Sequence, residues 1–200
     1  MFLLKGQAIM TITLDQVTAR TMTLEEFFNY DDGTDALYEF EDGELILMTA
    51  ESEINRRIDM FILAYFIQQG IPAYRLSMKT EIVVTGSRVR VPDLVVFSED
   101  LATAMESARR STVIPEMPTP LLVVEVVSPN QSSRDYRYKR SEYATRGINE
   151  YWIVDPIEQK ITILEWIEGF YEERVYVGDS SIESPVLGNL ELTAAQILRG

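Results

Sequence analysis

This sequence predicts an α/β (α+β) fold: a β-sheet of mixed direction flanked by packed helices. Three observations carry the prediction. Periodic segments run in the order helix, hairpin, helix, strands, helix, strands. Residues 121–127 form an almost unbroken β-branched run, of the kind buried on both faces of a sheet. The later segments alternate as an antiparallel pair does. With 200 residues, 46% hydrophobic and 25% charged, the chain suits one domain with a sizeable core.

Residues 1–20 show no period and read as an N-terminal arm ahead of a domain over 21–200. Thr23, followed three residues on by Glu26, opens a capped helix at 23–28. Segments 36–40 and 44–48 flank Glu41-Asp42-Gly43 and predict a hairpin. Ile54, Ile58, Phe61, Ile62, Tyr65 and Phe66 fall at helical spacing, so a helix is expected over 52–69, stopped by Gly70-Ile71-Pro72. Strands follow over 75–84 and 89–97, around Thr85-Gly86-Ser87. Residues 99–119 are polar and irregular, with a short helix near 101–109. After the 121–127 strand, Ser132 or Ser133 caps a helix to about Thr145, and Gly147 stops it. A strand at 150–154 ends at Asp155-Pro156, 160–165 and 170–177 pair, and 192–198 closes the chain as a short helix.

Composition narrows the chemistry. The chain has no cysteine and no histidine, which excludes disulfides, thiolate metal sites, Ser-His-Asp catalysis and the usual zinc sites. Any metal must take oxygen ligands, which favours Mg²⁺, Mn²⁺ or Ca²⁺. No run of 18 apolar residues suggests a membrane span, and the first ten residues lack a signal-peptide pattern, so a cytoplasmic protein is expected. The formal net charge of −14 argues against a polyanionic partner, yet the charge is unevenly spread. Residues 21–54 hold eleven acids and no Lys or Arg, whereas 130–146 hold five bases and two acids, a local +3.

That basic segment follows an oddity. Glu125 stands inside the apolar strand, where a carboxylate is costly unless it is paired, protonated or metal-bound. Asp93, after Val91-Pro92, falls at the start of another strand, since Pro92 lacks a donor and suits a strand start or edge. Two carboxylates so placed can converge on one hard cation. Glu125 and Val127 share a strand face, and that face carries no cation of its own. Asp135, Lys139, Glu142, Tyr143 and Arg146 form one stripe of the following helix, and a lysine stem spanning roughly 6 Å can set the Lys139 ammonium beside Glu125. Two acids and a lysine suit metal-assisted phosphodiester hydrolysis.

At these residues the chain resembles a known family. Tyr38-Glu39-Phe40-x-Asp42-Gly43-Glu44, Val91-Pro92-Asp93, Leu122-Val123-Val124-Glu125-Val126-Val127-Ser128-Pro129, Asp135-x-x-x-Lys139-x-x-x-Tyr143-x-x-x-Gly147 and Glu150-Tyr151-Trp152-Ile153-Val154-Asp155 occur in the order found in the Uma-type restriction endonucleases, a branch of the PD-(D/E)XK nuclease superfamily. The resemblance covers about residues 21–198 and implies the restriction-endonuclease-like fold. It makes Asp93 and Glu125 metal ligands, with the Val126 carbonyl as a third. The superfamily's usual lysine would stand at position 127, where this chain has valine, and in the Uma-type branch that lysine moves to the next helix, which matches Lys139. Glu39 matches an acid that many members contribute near the N-terminus, as an additional ligand or a group behind the ligands. The histidine found in many relatives near position 55 is absent here, where the residue is Asn55.

The expectation is therefore a Mg²⁺- or Mn²⁺-dependent endonuclease acting on DNA, with Asp93, Glu125, Lys139 and Glu39 at its centre. Arg134, Arg137 and Arg140 would meet the nucleic-acid backbone, and a homodimer would cut both strands. The rival expectation is a catalytically silent binding or regulatory module that keeps the fold, favoured by the uncompensated acids of 21–54. A hydrolase of RNA or of a smaller phosphoester is a further rival, for which the sequence offers no stacking motif or nucleotide-binding loop.

Overall fold

Two β-sheets that exchange strands at a shared corner organise the chain. The computed structural model describes residues 21–48, 50–129 and 134–200. The expected arm at 1–20 and the expected caps Ser132 and Ser133 lie outside them.

Helix α1, Leu24–Phe28, opens on the expected capping box of Thr23 and Glu26. Strands β1, Tyr38–Glu41, and β2, Glu44–Leu47, form the hairpin. Its turn places Asp42 at φ 50° and Gly43 at φ 97°, the left-handed pair that matches strand twist. Helix α2, Glu53–Gln68, starts at an N-cap bond from the Asn55 amide to the Ser52 side chain.

The expected strand over 75–84 is in fact two strands. A short 3₁₀ turn, Ala73–Arg75, leads into β3, Leu76–Met78, and β4, Glu81–Thr85, follows after a break at Lys79-Thr80. The expected strand over 89–97 is likewise two, β5, Arg88–Arg90, and β6, Leu94–Val96, broken at Val91-Pro92-Asp93. Each break carries the chain from one sheet to the other. Pro92 supplies the cause at the second. At the first, Lys79 adopts φ 58°, a strained conformation for a residue with a side chain.

Helix α3, Glu99–Met105, and the two-residue strand β7, Thr112–Val113, lie in the irregular stretch. Strand β8, Leu122–Val126, is followed by a π-helical segment, Arg134–Lys139, that runs into α4, Arg140–Arg146. Gly147 ends α4 at φ 77°, as its lack of a Cβ permits. Then come β9, Glu150–Asp155, β10, Lys160–Ile167, and β11, Phe170–Val177. A small hairpin of β12, Ser181–Ser184, and β13, Gly188–Thr193, leads to α5, Ala194–Arg199, so the expected terminal helix begins two residues late, after a strand.

The first sheet has the order β2-β1-β5-β4-β7 and the second β11-β10-β9-β8-β6-β3. Strand β8 sits inside the second, antiparallel to β6 and parallel to β9. Its period of two divides two cores. Leu122, Val124 and Val126 face Ile58, Ile62 and Phe66 of α2, with Trp152 and the α5 residues Ile197 and Leu198. Val123 and Val127 face Leu101, Tyr143 and Tyr151. Each such fully buried aliphatic or aromatic side chain contributes roughly 1.5–3 kcal/mol. A third cluster, Phe27, Phe40, Val83 and Val89, seats α1 on the first sheet. Among the described residues no helix is long and apolar enough to cross a membrane.

Candidate active site

The cleft lies where the strands change sheets. It is lined by Glu39, Glu51, Asn55, Lys79, Asp93, Glu125, Val126, Ser128, Arg134, Asp135 and Lys139, together with Ile46 to Met48 of the hairpin. Its centre is Glu125. The β8 pleat turns this side chain onto the face that holds Val123 and Val127, and it is almost fully buried. The Lys139 ammonium stands 2.8 Å from Glu125 Oε2. The Tyr143 hydroxyl donates to Oε1 at 2.7 Å. Burial pushes the Glu125 carboxyl up to about 8, Lys139 pulls it back, and the Asp93 charge adds to the rise.

Lys139 is itself buried among acids: Asp135 Oδ1 lies at 3.2 Å and Glu39 Oε1 at 3.5 Å. Burial disfavours its charge, but Glu125, Glu39 and Asp135 together outweigh that and raise its pKa. The ammonium therefore keeps its proton and acts as a donor. Burial also raises Asp135, against the pull of Lys139. Glu39 behaves oppositely. Burial opposes its charge, yet Lys139, Arg90 and Arg134 lower its pKa. The pleat of β1 explains the meeting, because Glu39 and Glu41 share the face opposite Phe40. Arg90 donates to both acids at 3.0 Å. Arg134 donates to them at 2.8 and 3.1 Å.

Asp93 holds the other side. Its Oδ2 accepts the Val126 backbone N–H at 2.7 Å, which extends the β6–β8 ladder by one side-chain rung. Its Oδ1 pairs with the Lys79 ammonium, which also reaches Glu51 at 3.2 Å. The Asn55 amide spans the floor, donating to the Val126 and Val127 carbonyls at 3.3 Å and to the Ser128 hydroxyl at 3.2 Å.

Residues 24–195 match the Uma2 family, described as "Putative restriction endonuclease". The chain belongs to this family. No curated protein matches it. A solved structure from Anabaena variabilis, described as a putative nuclease belonging to DUF820, superposes with a TM-score of 0.71 at 18% identity, covering 88% of this chain and 97% of that one. At that identity the likeness establishes the fold, a mixed sheet flanked by helices.

Of the residues singled out in the sequence, this Uma2 chain gathers Glu39, Asp93, Glu125, Val126, Arg134 and Lys139 on one cleft. It does not bring Arg137 and Arg140 there. These line a separate depression with Phe170 and Tyr171, and Arg140 pairs with Glu173 and the Tyr171 carbonyl. The helical stripe also splits: Glu142 turns to Arg90 and Arg88 rather than into the cleft. Three groups did not stand out in the sequence: Lys79 and Glu51, which line the cleft, and Asp59, which lies behind it beside Glu51 and Asp93. Asp59 had a signal. It stands at i+4 from Asn55 and i−3 from Ile62, on the inner stripe of α2, and it is fully buried. Lys79 had none, because nothing in a strand-like run announces a break at a lysine.

Proposed function

We propose that this chain is a Mg²⁺- or Mn²⁺-dependent endonuclease that hydrolyses DNA phosphodiesters, with residues 21–200 as one nuclease domain. One observation carries the reading: a protonated lysine, Lys139, is held 2.8 Å from a carboxylate buried in a central strand, on a cleft shared with Asp93. The donor set fits a hard divalent cation. Asp93, Glu125 and the Val126 carbonyl are oxygen donors on one cleft, and a chain without His or Cys has no softer ligands to offer. When bound, such a cation supplies Lewis acidity toward the phosphate and makes a water more acidic.

The chain's own residues do the rest. Lys139, unable to serve as a base at neutral pH, donates to the attacking water or to the charge that grows on the phosphate oxygens. Tyr143 fixes the orientation of Glu125, and the Val126 N–H fixes Asp93. Glu39 holds Lys139 and Arg134 from behind, leaving Arg134 a quarter exposed at the rim, where a phosphate can approach. Arg137 and Arg140 would meet a duplex only if it also passes the depression beside Phe170. The exposed Phe170 on the edge strand β11 supports a homodimer interface there, which would let two cytoplasmic protomers cut both strands.

The second reading is a catalytically silent binding module. It is favoured by the fact that Lys79, Lys139 and Arg134 are all already paired with acids. Incubation of supercoiled plasmid with and without Mg²⁺ or Mn²⁺ separates the two. Nicking that requires the ion and disappears in Glu125→Ala and in Lys139→Ala supports the nuclease. No nicking, together with no Mn²⁺ binding by calorimetry, sinks it.

A further inference from the structure

The Lys79 side of the cleft contains a group that the chemistry above leaves unused. Asp59 is fully buried, and among the described residues neither of its carboxylate oxygens has a hydrogen-bond donor. Glu51, Asp59 and Asp93 each offer one oxygen, and the three oxygens lie within 4.8 Å of one another. Lys79 serves Asp93 and Glu51 but makes no ion pair with Asp59. An ionised carboxylate without a donor in a dry site costs several kcal/mol and is relieved by a proton or by a cation.

We propose that Glu51, Asp59 and Asp93 form a second divalent-cation site, beside the one proposed at Asp93 and Glu125, with Asp93 common to both. Three carboxylates select a hard, oxygen-preferring ion of the Mg²⁺, Mn²⁺ or Ca²⁺ class. The charge on the cleft gives the site a purpose. Five acids and three bases line it, and Asp59 behind them makes six acids, so the fully ionised cleft is at −3 (three minus six). Until a second ion displaces its proton Asp59 is neutral, so one divalent cation at the first site leaves the cleft at zero (three plus two minus five), with no attraction for a phosphodiester. Two bring it to +1. A second ion beside Glu51 and Asp59 therefore turns an acidic cleft into a seat for a polyanion. Asp93 is placed to join the two sites, because its two oxygens point apart, one to the end of β8 and one to Lys79.

The inference leans on the nuclease reading only through Asp93, and calorimetric titration with Mn²⁺ alone tells the two apart. The full chain is titrated beside Asp59→Asn and Glu125→Gln, each first shown by its melting transition to be folded. Asp59→Asn keeps the shape of the side chain and puts a neutral amide where the metal-free fold holds a protonated carboxyl, so the fold should survive it. The expected result is two Mn²⁺ per wild-type chain, with one lost in Asp59→Asn and the Asp59-dependent one retained in Glu125→Gln. An Asp59→Asn protein that titrates like the wild type overturns the second site. Loss of an ion in Asp59→Asn but not in Glu125→Gln keeps this site and removes the metal from Glu125 instead.

Discussion

The two ends of the cleft are built from the same parts and finished differently. Each sets one lysine among three acids: Lys139 with Glu39, Asp135 and Glu125, and Lys79 beside Glu51, Asp93 and Asp59. At the Lys139 end further donors complete the pairing, with Tyr143 on Glu125 and Arg90 and Arg134 on Glu39. At the Lys79 end no donor among the described residues reaches Asp59. The lysines differ too, with side chains 8% and 26% exposed. The Lys139 end is thus electrostatically closed by protein alone, and the Lys79 end is closed only on the side of Asp93 and Glu51. What decides whether a buried acid is a settled structural group or an open one is the number of donors around it, not the ratio of acids to lysines.

The contrast is most exposed to failure at the Lys139 end. Glu125→Ala and Lys139→Ala are each expected to lower metal-dependent plasmid nicking by about 10²–10³-fold or more, read from initial rates. Unchanged rates would mean that this end is only a structural knot. Lys139→Ala should also lower stability by about 3–5 kcal/mol in urea titrations, because it leaves two buried acids, Glu125 and Asp135, without a cation.

Asp59→Asn should act in the opposite direction. Burial, reinforced by the Asp93 charge, pushes the Asp59 carboxyl up to about 10. The folded chain therefore holds a proton that the unfolded chain releases above about pH 4. Stability from this group is fully present below pH 4 and declines as pH rises toward 10. In chelator, Asp59→Asn should thus be more stable than wild type at pH 7, by on the order of 1–3 kcal/mol, with the advantage shrinking as pH falls toward 4. Melting curves at three pH values check this, and an advantage that grows on acidification would refute it.

Lys79→Met should cost less than its counterpart, about 1–2 kcal/mol, since solvent screens a quarter-exposed ammonium. A cost matching that of Lys139→Ala would erase the distinction between the ends. The smallest effect is expected at Asn55→Ala, about 1 kcal/mol from its amide bonds to the end of β8, measured by the same titration.

The sequence exposed the Lys139 end better than the Lys79 end for a physical reason. Glu125 violates the apolar pattern of its strand, and Lys139 shares a helical stripe with Asp135, so periodicity reveals both. The elements with strong local signals were equally legible: the Thr23 capping box, the Asp42-Gly43 turn and the Gly147 stop each sit where expected. Strand continuity was not. Residues 75–84 and 89–97 read as two strands because their local pattern is extended throughout, and only tertiary packing sends each half to a different sheet. Pro92 marked one of those breaks, whereas the positive φ of Lys79 is imposed by the surrounding fold. The hairpin of β12 and β13 escaped for a related reason, since its polar, irregular strands pair across a register shift. Asp59 was hidden because apolar residues announce the inner face of α2, and a single acid among them adds no periodic signal.

The strand exchange at the corner also governs when the cleft comes into being. Because β3 runs into β4 and β5 into β6 across the two sheets, neither sheet can be completed without the other. The ion pairs that close the cleft join distant chain segments, with Arg134 and Glu39 separated by 95 positions. Contacts of such span form late, after the loops between them have been closed. A chain still leaving the ribosome, or one cut before the π-helical segment Arg134–Lys139, carries Asp93 and Glu125 without Lys139. The paired form of the cleft is thus acquired only in the final stage of folding.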